Sequence, residues 1–407
     1  MSGGIADAAV PHDDFAEGVV PPAKEDTVKP KRKLEPWHKP RKQFVRRGWR
    51  DNVRRLMSEL SFPIGAERVF RYFTLPAPEM LDVRTLEEAA REKQFKVQYV
   101  GFTNARSGSE DDGQLQLGQA TLRAQADWVH PESSILHYRL EELAAGVQPV
   151  ARTALRNYGP FHAVNLDLCD YLLAPGPKVM LLDALGHILE MQTTRQHDDW
   201  LLFIATRFDA NNTCPLKFQR IRAAIAANCA ASDVFRKELE ALLHIEPGAC
   251  SAVLSDPTSL SQEHLRDAIS VGLTKWIASQ LLKANPPFEL EMMRTYVYAV
   301  DGPKHDMLSL VYRCRYKGTP VSVAVSTAAS AAAEASTEVR LGLRALDKTR
   351  SLVDLDEILR SDISVRRALG EETKALLKQA NYADDILGGY DFWASDGAIK
   401  ANGAQRA

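Results

Sequence analysis

The feature that most constrains this chain is an alternation. Between residues 80 and 208, short apolar runs recur, each followed by a stretch with helical period. The runs lie at 80–83, 95–102, 134–138, 161–168 and 200–208. The helical stretches lie at 85–93, 114–126, 149–157 and 178–194. Strands that read as nearly continuous apolar runs are buried on both faces, which implies a parallel sheet covered by helices on each side. Residues 67–73 read as a short helix or loop that leads into this alternation. Two longer helical stretches follow, at 215–243 and 259–282. Then come two Tyr/Val-rich runs, 291–300 and 307–316, joined by a hairpin-type connector, Asp301-Gly302-Pro303-Lys304-His305. The expected fold class is α/β: a Rossmann-like parallel sheet with a late antiparallel hairpin. A small helical C-terminal extension, with helices at 354–359, 365–377 and 382–393, completes it.

The chain has 407 residues and is 45% hydrophobic, enough for a full core and more than one compact unit. The expected division is a disordered basic tail over 1–45, a sheet domain over 46–325 and the helical extension over 326–407. The net charge of −2 is unevenly spread. From Lys24 to Arg55 there are thirteen Lys/Arg against four Asp/Glu, so the rest of the chain is acidic. Such asymmetry reads as a basic arm on an acidic body. In that arm Lys39, Arg41, Lys42, Arg46, Arg47 and Arg50 are interleaved with Trp37, Phe44 and Trp49. This pattern can clamp phosphates and stack bases, which makes the six basic residues candidate nucleic-acid contacts. The competing reading is an ordered arm whose aromatics plug the body while the charges stay in water.

Several classes of chemistry find no support. Five widely spaced cysteines form no CxxC pair, and ten histidines include no HxH or HxxxH pair, so no metal is expected. No phosphate-binding GxxxxGK[ST] loop and no GxSxG elbow occur. The longest apolar runs are too short to span a bilayer, and the first thirty residues hold no leader-type apolar core. The expectation is therefore a cytoplasmic protein with reduced thiols and no membrane contact.

Residues 161–170, FHAVNLDLCD, carry the strongest site signal. A buried strand here runs into Asn165, Asp167, Cys169 and Asp170, and ligands of open α/β sheets sit at the C-terminal ends of strands. Asn165 and Asp167 alternate, so they share a face of the strand. Asp167 could orient or deprotonate a target amine, or simply cap the next helix. Asp82 could bind a ligand or cap the helix at 85–93, for which Thr85 and Glu88 form a capping-box pair. Cys169 lacks the Pro-Cys turn of a cytosine-type nucleophile and reads more simply as a buried thiol.

Five βα units followed by an antiparallel hairpin resemble the class I S-adenosylmethionine-dependent methyltransferases over roughly residues 60–320. Residues 80–83 stand where that family's first strand delivers its nucleotide-binding acid. Gly101-Phe102-Thr103-Asn104 stands where the second strand presents its ribose ligand. Asn165 to Asp170 stands where the fourth strand presents the catalytic box. The acidic turn after that strand is similar to that of three-Cys-motif partner proteins, which belong to bacterial conflict gene clusters. The resemblance implies S-adenosylmethionine as cofactor, lined by Asp82, Thr103 and Asn104. Asp167, assisted by Asn165 or Asp170, would then act at a nucleic-acid amine. The departures are specific. No glycine occurs between Gly65 and Gly101, Thr103-Asn104 replaces a ribose-binding carboxylate, and neither prolines nor an aromatic directly follow Asp167. Two functions follow. The first is a degenerate methyltransferase-like protein that binds nucleic acid or a protein partner within a bacterial defence-type system, without cofactor. The second is an active methyltransferase acting on nucleic acid.

Overall fold

The computed structural model describes residues 33–394 apart from 147–148, 177–179, 301 and 319–326. The expected tail therefore lies outside the described residues as far as 32. From there onward the chain is ordered: a short 3-10 turn at Pro36–His38 leads directly into α1 (Pro40–Glu59). The boundary expected at residue 45 thus falls inside a 20-residue helix. Val45, Trp49, Val53, Leu56 and Met57 form its buried stripe, at spacings of three and four. Trp49 stacks on Phe203 in the middle of the sheet. That apolar anchor is what draws the basic segment onto the body.

The strands are β1 (Val69–Thr74), β2 (Lys96–Phe102), β3 (Ser134–Leu136), β4 (Ala163–Asp167), β5 (Trp200–Arg207), β6 (Phe288–Tyr298), β7 (Met307–Tyr316) and β8 (Val353–Asp354). They form one sheet in the order β3-β2-β1-β4-β5-β7-β6-β8. The first five are parallel, and β7 runs antiparallel to both β5 and β6. The expected α/β class, with a methyltransferase-type sheet, a late antiparallel hairpin and C-terminal helices, is therefore what the chain adopts. From β1 the chain steps outward to β2 and β3, then crosses back to β4 on the other side of β1. That reversal leaves a crevice at the C-terminal ends of β1 and β4.

One strand differs from the sequence reading. Residues 80–83 are not the first strand; Leu81–Arg84 is a one-turn helix, α2, entered through Met80 in the left-handed region at φ 53°. The true first strand is Val69–Thr74, where the sequence predicts a short helix or loop. Its Val-Phe-Arg-Tyr-Phe-Thr sequence is rich in strand-forming aromatics, but Arg71 interrupts the apolar run. Helix α3 (Glu87–Lys93) begins later than expected and has no side-chain cap, because Thr85 donates back to the Leu81 carbonyl at 2.6 Å.

The remaining helices are α4 (Glu110–Gln125), α5 (Val150–Tyr158), α6 (Leu181–Arg195), α7 (Pro215–Ala231), α8 (Asp233–Leu242), α9 (Cys250–Val253) and α10 (Gln262–Leu282). After β7 come α11 (Thr327–Arg350), α12 (Leu355–Ser361), α13 (Ile363–Gln379), α14 (Asp384–Gly388) and α15 (Tyr390–Ala394). The single helix expected over 215–243 is two, because Ser232 is extended and caps α8 by accepting from the Phe235 amide. One core lies between the sheet and α5 to α11, and another between the sheet and α1, α3, α4 and α12. The C-terminal part is joined to the sheet domain: β8 pairs with β6, and α13 packs on α1. No helix among the described residues is long and apolar enough to cross a membrane.

Candidate functional site

A cavity of about 830 Å³ lies at the C-terminal ends of β1, β2 and β4 and beside the segment after β3. Pockets of this volume accommodate drug-sized ligands. The loop after β1, Leu75-Pro76-Ala77-Pro78-Glu79, forms part of its floor. This loop has no glycine. The close packing it needs is provided by its neighbours instead. A Cβ on Gly101 of β2 would lie 2.8 Å from Pro76, and one on Gly118 of α4 would lie 2.0 Å from the Pro78 carbonyl oxygen. The two glycines form notches in which the loop lies flat, and the cavity opens beside it.

The sequence-derived residues gather around this cavity. Asp82, Thr103, Asn104, Asp167, Cys169 and Asp170 all line it. Asp167 keeps 19% of its side chain exposed. Asn165 does not line the cavity. It is fully buried, donates to the Tyr72 hydroxyl at 2.9 Å, and its Oδ1 has no hydrogen-bond partner. Its role is to hold the cavity floor in place rather than to touch a ligand. Asp82 accepts from the Thr74 hydroxyl, and from the Tyr72 hydroxyl at 3.3 Å. Burial raises its carboxyl above the usual range, against the pull of Thr74 and the Arg46 guanidinium. Asp82 therefore caps no helix. Cys169 is exposed, not the buried thiol expected; desolvation of its sulfur at the cavity wall, reinforced by Asp167, still raises the thiol, which disfavours the nucleophilic thiolate.

The basic arm is the main rearrangement of the sequence picture. Lys42 and Arg46 lie on the buried stripe of α1, and Arg46 lines the cavity. The Lys42 ammonium donates to Asp167, and to the Tyr298 hydroxyl at 3.3 Å, and sits over the Trp49 ring at 5.2 Å. Burial pulls this ammonium down. The Asp167 and Tyr298 oxygens outweigh that, leaving it above its ordinary value and firmly charged. Arg46 donates to the Trp37 carbonyl at 3.0 Å, while its Nε has no partner. Burial lowers this guanidinium, opposed chiefly by Asp167 and Asp82. The other arm residues also have partners inside the chain. Arg41 pairs with Asp356 at 2.7 Å, Arg47 with Glu372, and Arg50 with Glu88 at 2.6 Å and Glu372 at 3.3 Å. Lys39 lies over the Trp393 ring at 5.3 Å. Trp37, Phe44 and Trp49 all pack on the body, as the competing reading of the arm expected, but Lys42 and Arg46 are buried with them instead of staying in water.

Glu35, Glu79 and Tyr382 line the cavity and gave no sequence signal as ligand contacts. Glu79 ends the β1 loop, is buried, and accepts from Trp37 Nε1 at 3.2 Å and from the Tyr382 hydroxyl at 3.0 Å. His38 Nε2 lies 3.6 Å from it, and the Tyr390 hydroxyl donates to the His38 carbonyl at 2.6 Å. Tyr382 lies in the C-terminal extension, and Glu35 and Trp37 in the segment before α1. Both ends of the described chain thus close over one edge of the cavity and meet at Glu79.

Among the described residues one set, His305, Asp354 and Asp356, brings metal-type ligand atoms close together. Asp354 caps α12 through the amides of Asp356 and Glu357, and Asp356 pairs with Arg41 and accepts from the Ala299 amide. The set is accounted for as a helix-capping cluster.

A family model described as PP_RS20740-like matches residues 31–395, which spans the 3-10 turn, the whole sheet and the C-terminal helices. No curated protein matches the chain.

Proposed function

The chain belongs to the PP_RS20740-like family, and we propose that it is a methyltransferase-like protein that binds rather than methylates. The observation that carries this reading is the ion pair between Lys42 and Asp167. Asp167 ends the strand that would present the catalytic acid. A carboxylate held by a buried ammonium is a poor proton acceptor, because protonating it would leave that ammonium uncompensated.

The cavity residues fit a nucleoside carrying a zwitterionic tail. Arg46, with an unpartnered Nε, offers a donor for a carboxylate. Thr103 and Asn104 offer hydroxyl and amide partners for a ribose, and Phe102, Tyr138 and Leu140 offer an apolar wall for a base. Among such ligands S-adenosylmethionine, when bound, supplies a transferable methyl group on sulfur. In this chain Lys42 and Asp167 keep their charges within the fold, beside the neutral Tyr298 hydroxyl. The ligand is then recognised, and the closed edge at Glu79 transmits its presence to α1 and the C-terminal helices. The likeness to three-Cys-motif partners supports a binding role, toward nucleic acid or a protein partner, in a bacterial conflict system.

Calorimetric titration with S-adenosylmethionine and S-adenosylhomocysteine tests the ligand. A methyl-transfer assay on single- and double-stranded DNA and RNA tests the chemistry. Micromolar binding without turnover supports the proposal. Turnover abolished by Asp167→Ala overturns it in favour of an active methyltransferase. Absence of binding by a protein with a cooperative melt removes the nucleoside ligand.

A further inference from the structure

A second concavity of about 680 Å³ lies at the opposite edge of the sheet, where the parallel strands begin. Arg71 reaches it from β1, Arg123 from α4 and Arg195 from the last turn of α6, and all three are exposed. Ser133, Ser134 and Asn157 complete the polar wall. The geometry points to a binding site for a phosphate-bearing ligand in this concavity, held by the three guanidinium groups.

Three observations carry it. First, these three arginines converge on one hollow with no carboxylate partner. Arg41, Arg47, Arg50, Arg54, Arg91 and Arg313 each face a carboxylate at ion-pair distance. Among the described residues no carboxylate lies within that distance of Arg71, Arg123 or Arg195. What the hollow adds is convergence: three unpaired guanidinium groups line one concavity.

Second, most of their donors are uncommitted. Arg123 donates to the Ser133 carbonyl and Arg195 to the Arg156 carbonyl, each through one nitrogen. The Arg71 side chain makes no hydrogen bond or ion pair among the described residues; its backbone donates to His162 Nδ1 and accepts from the His162 amide, each at 2.9 Å. Each guanidinium carries five N–H groups, so an ample set remains for phosphate oxygens, which match a guanidinium fork.

Third, the charge balance stays positive. The C-terminal ends of α5 and α6 contribute about half a negative charge each. Glu132, the one carboxylate in the wall, accepts from Gln98 Nε2 at 3.2 Å. Three guanidinium groups exceed these contributions by about one unit.

The phosphate can belong to a nucleic-acid strand or to a free oligophosphate, and two probes separate these sources. Tripolyphosphate is titrated calorimetrically. A labelled 20-nucleotide single-stranded DNA is followed by fluorescence anisotropy at two salt concentrations. Arg71→Ala should fold as the wild type, since its side chain is exposed and unpartnered, and should weaken binding about tenfold. Arg71→Lys should recover part of the loss. Addition of Arg123→Ala and Arg195→Ala should abolish binding. DNA binding that weakens with salt and is competed by tripolyphosphate assigns the site to a strand backbone. Binding of tripolyphosphate alone assigns it to a free oligophosphate. The inference is overturned if neither probe binds, or if Arg71→Ala binds both with unchanged affinity. S-adenosylhomocysteine, directed to the other edge of the sheet, should not compete in either case.

Discussion

The Lys42 ammonium donates to the Asp167 carboxylate across 125 residues of chain. A helix rich in Arg and Lys is thereby fixed to the one strand end where the fold would place an acid. Asp167 lines the cavity, and Trp49 and Tyr298 surround the ammonium that holds it. Ammonium and carboxylate compensate each other, so neither can be removed without exposing the other to a poor environment.

Replacement of Lys42 by Met should therefore destabilise the protein although it adds apolar contact. Breaking a fully buried pair costs about 3–5 kcal/mol. Asp167 is 19% exposed, so water offsets part of this and about 2 kcal/mol is expected. Urea unfolding of Lys42→Met should show a lower midpoint at unchanged slope. Lys42→Met combined with Asp167→Asn should recover much of the loss. A single variant as stable as the wild type would mean that the pair contributes nothing.

Tyr382→Phe tests the closure over Glu79. It leaves one buried carboxylate oxygen without its 3.0 Å donor, at about 1–2 kcal/mol. Trp37→Phe removes the donor at 3.2 Å to the other oxygen. The two substitutions should be non-additive, since each loosens the same contact. Limited proteolysis should cut the C-terminal helices faster in both variants. Equal cleavage rates would separate the chain ends from the loop.

The sheet was legible because β2 to β5 are apolar runs of the expected length and the hairpin is rich in Tyr and Val. The first strand was not, because Arg71 broke its pattern while the apolar Met80–Val83 offered a better match nearby. The cavity residues at strand ends were legible for a topological reason: Thr103, Asn104, Asp167 and Asp170 lie at or just after the C-terminal ends of strands of one parallel sheet, so they must share an edge, whereas Asp82, expected on a strand, reaches the cavity from the helix after the β1 loop. The contributions of Arg46, Glu79 and Tyr382 depend on how α1 and the C-terminal helices dock, and no short-range pattern encodes that. The arm illustrates the difference. Its charge run suggested a partner outside the chain, whereas the spacing of Val45, Trp49 and Val53 carried the opposite message.

Gly118→Ala should damage the cavity from a distance. The added Cβ would lie 2.0 Å from the Pro78 carbonyl oxygen, so the β1 loop must lift. Overpacking of this kind costs about 1–3 kcal/mol. Glu79 ends the same loop, so the closure should loosen as well. The expected result is a lower melting temperature together with loss of any ligand binding that the wild type shows. Gly113→Ala, on the same helix with nothing near its Cβ position, is the control. It should melt at or slightly above the wild-type temperature, because alanine favours a helix by up to about 1 kcal/mol over glycine.

His162 gives the pH dependence of stability a defined window. Burial, aided by the positive charge of Arg71, lowers its imidazole from 6.5 to about 4. The ring accepts the Arg71 amide proton on Nδ1 at 2.9 Å and stacks on Phe70 at 5.2 Å. The unfolded chain therefore takes up a proton near pH 6.5 that the folded protein refuses until about pH 4. Between those limits the unfolded state binds more protons, so this contribution to stability falls as the pH falls, and below about 4 it levels off. Since the ring is partly exposed, about 2 kcal/mol is expected over the window. Urea midpoints measured from pH 7 to pH 4 should fall less steeply for His162→Gln than for the wild type. Parallel curves would place the acid sensitivity elsewhere in the chain.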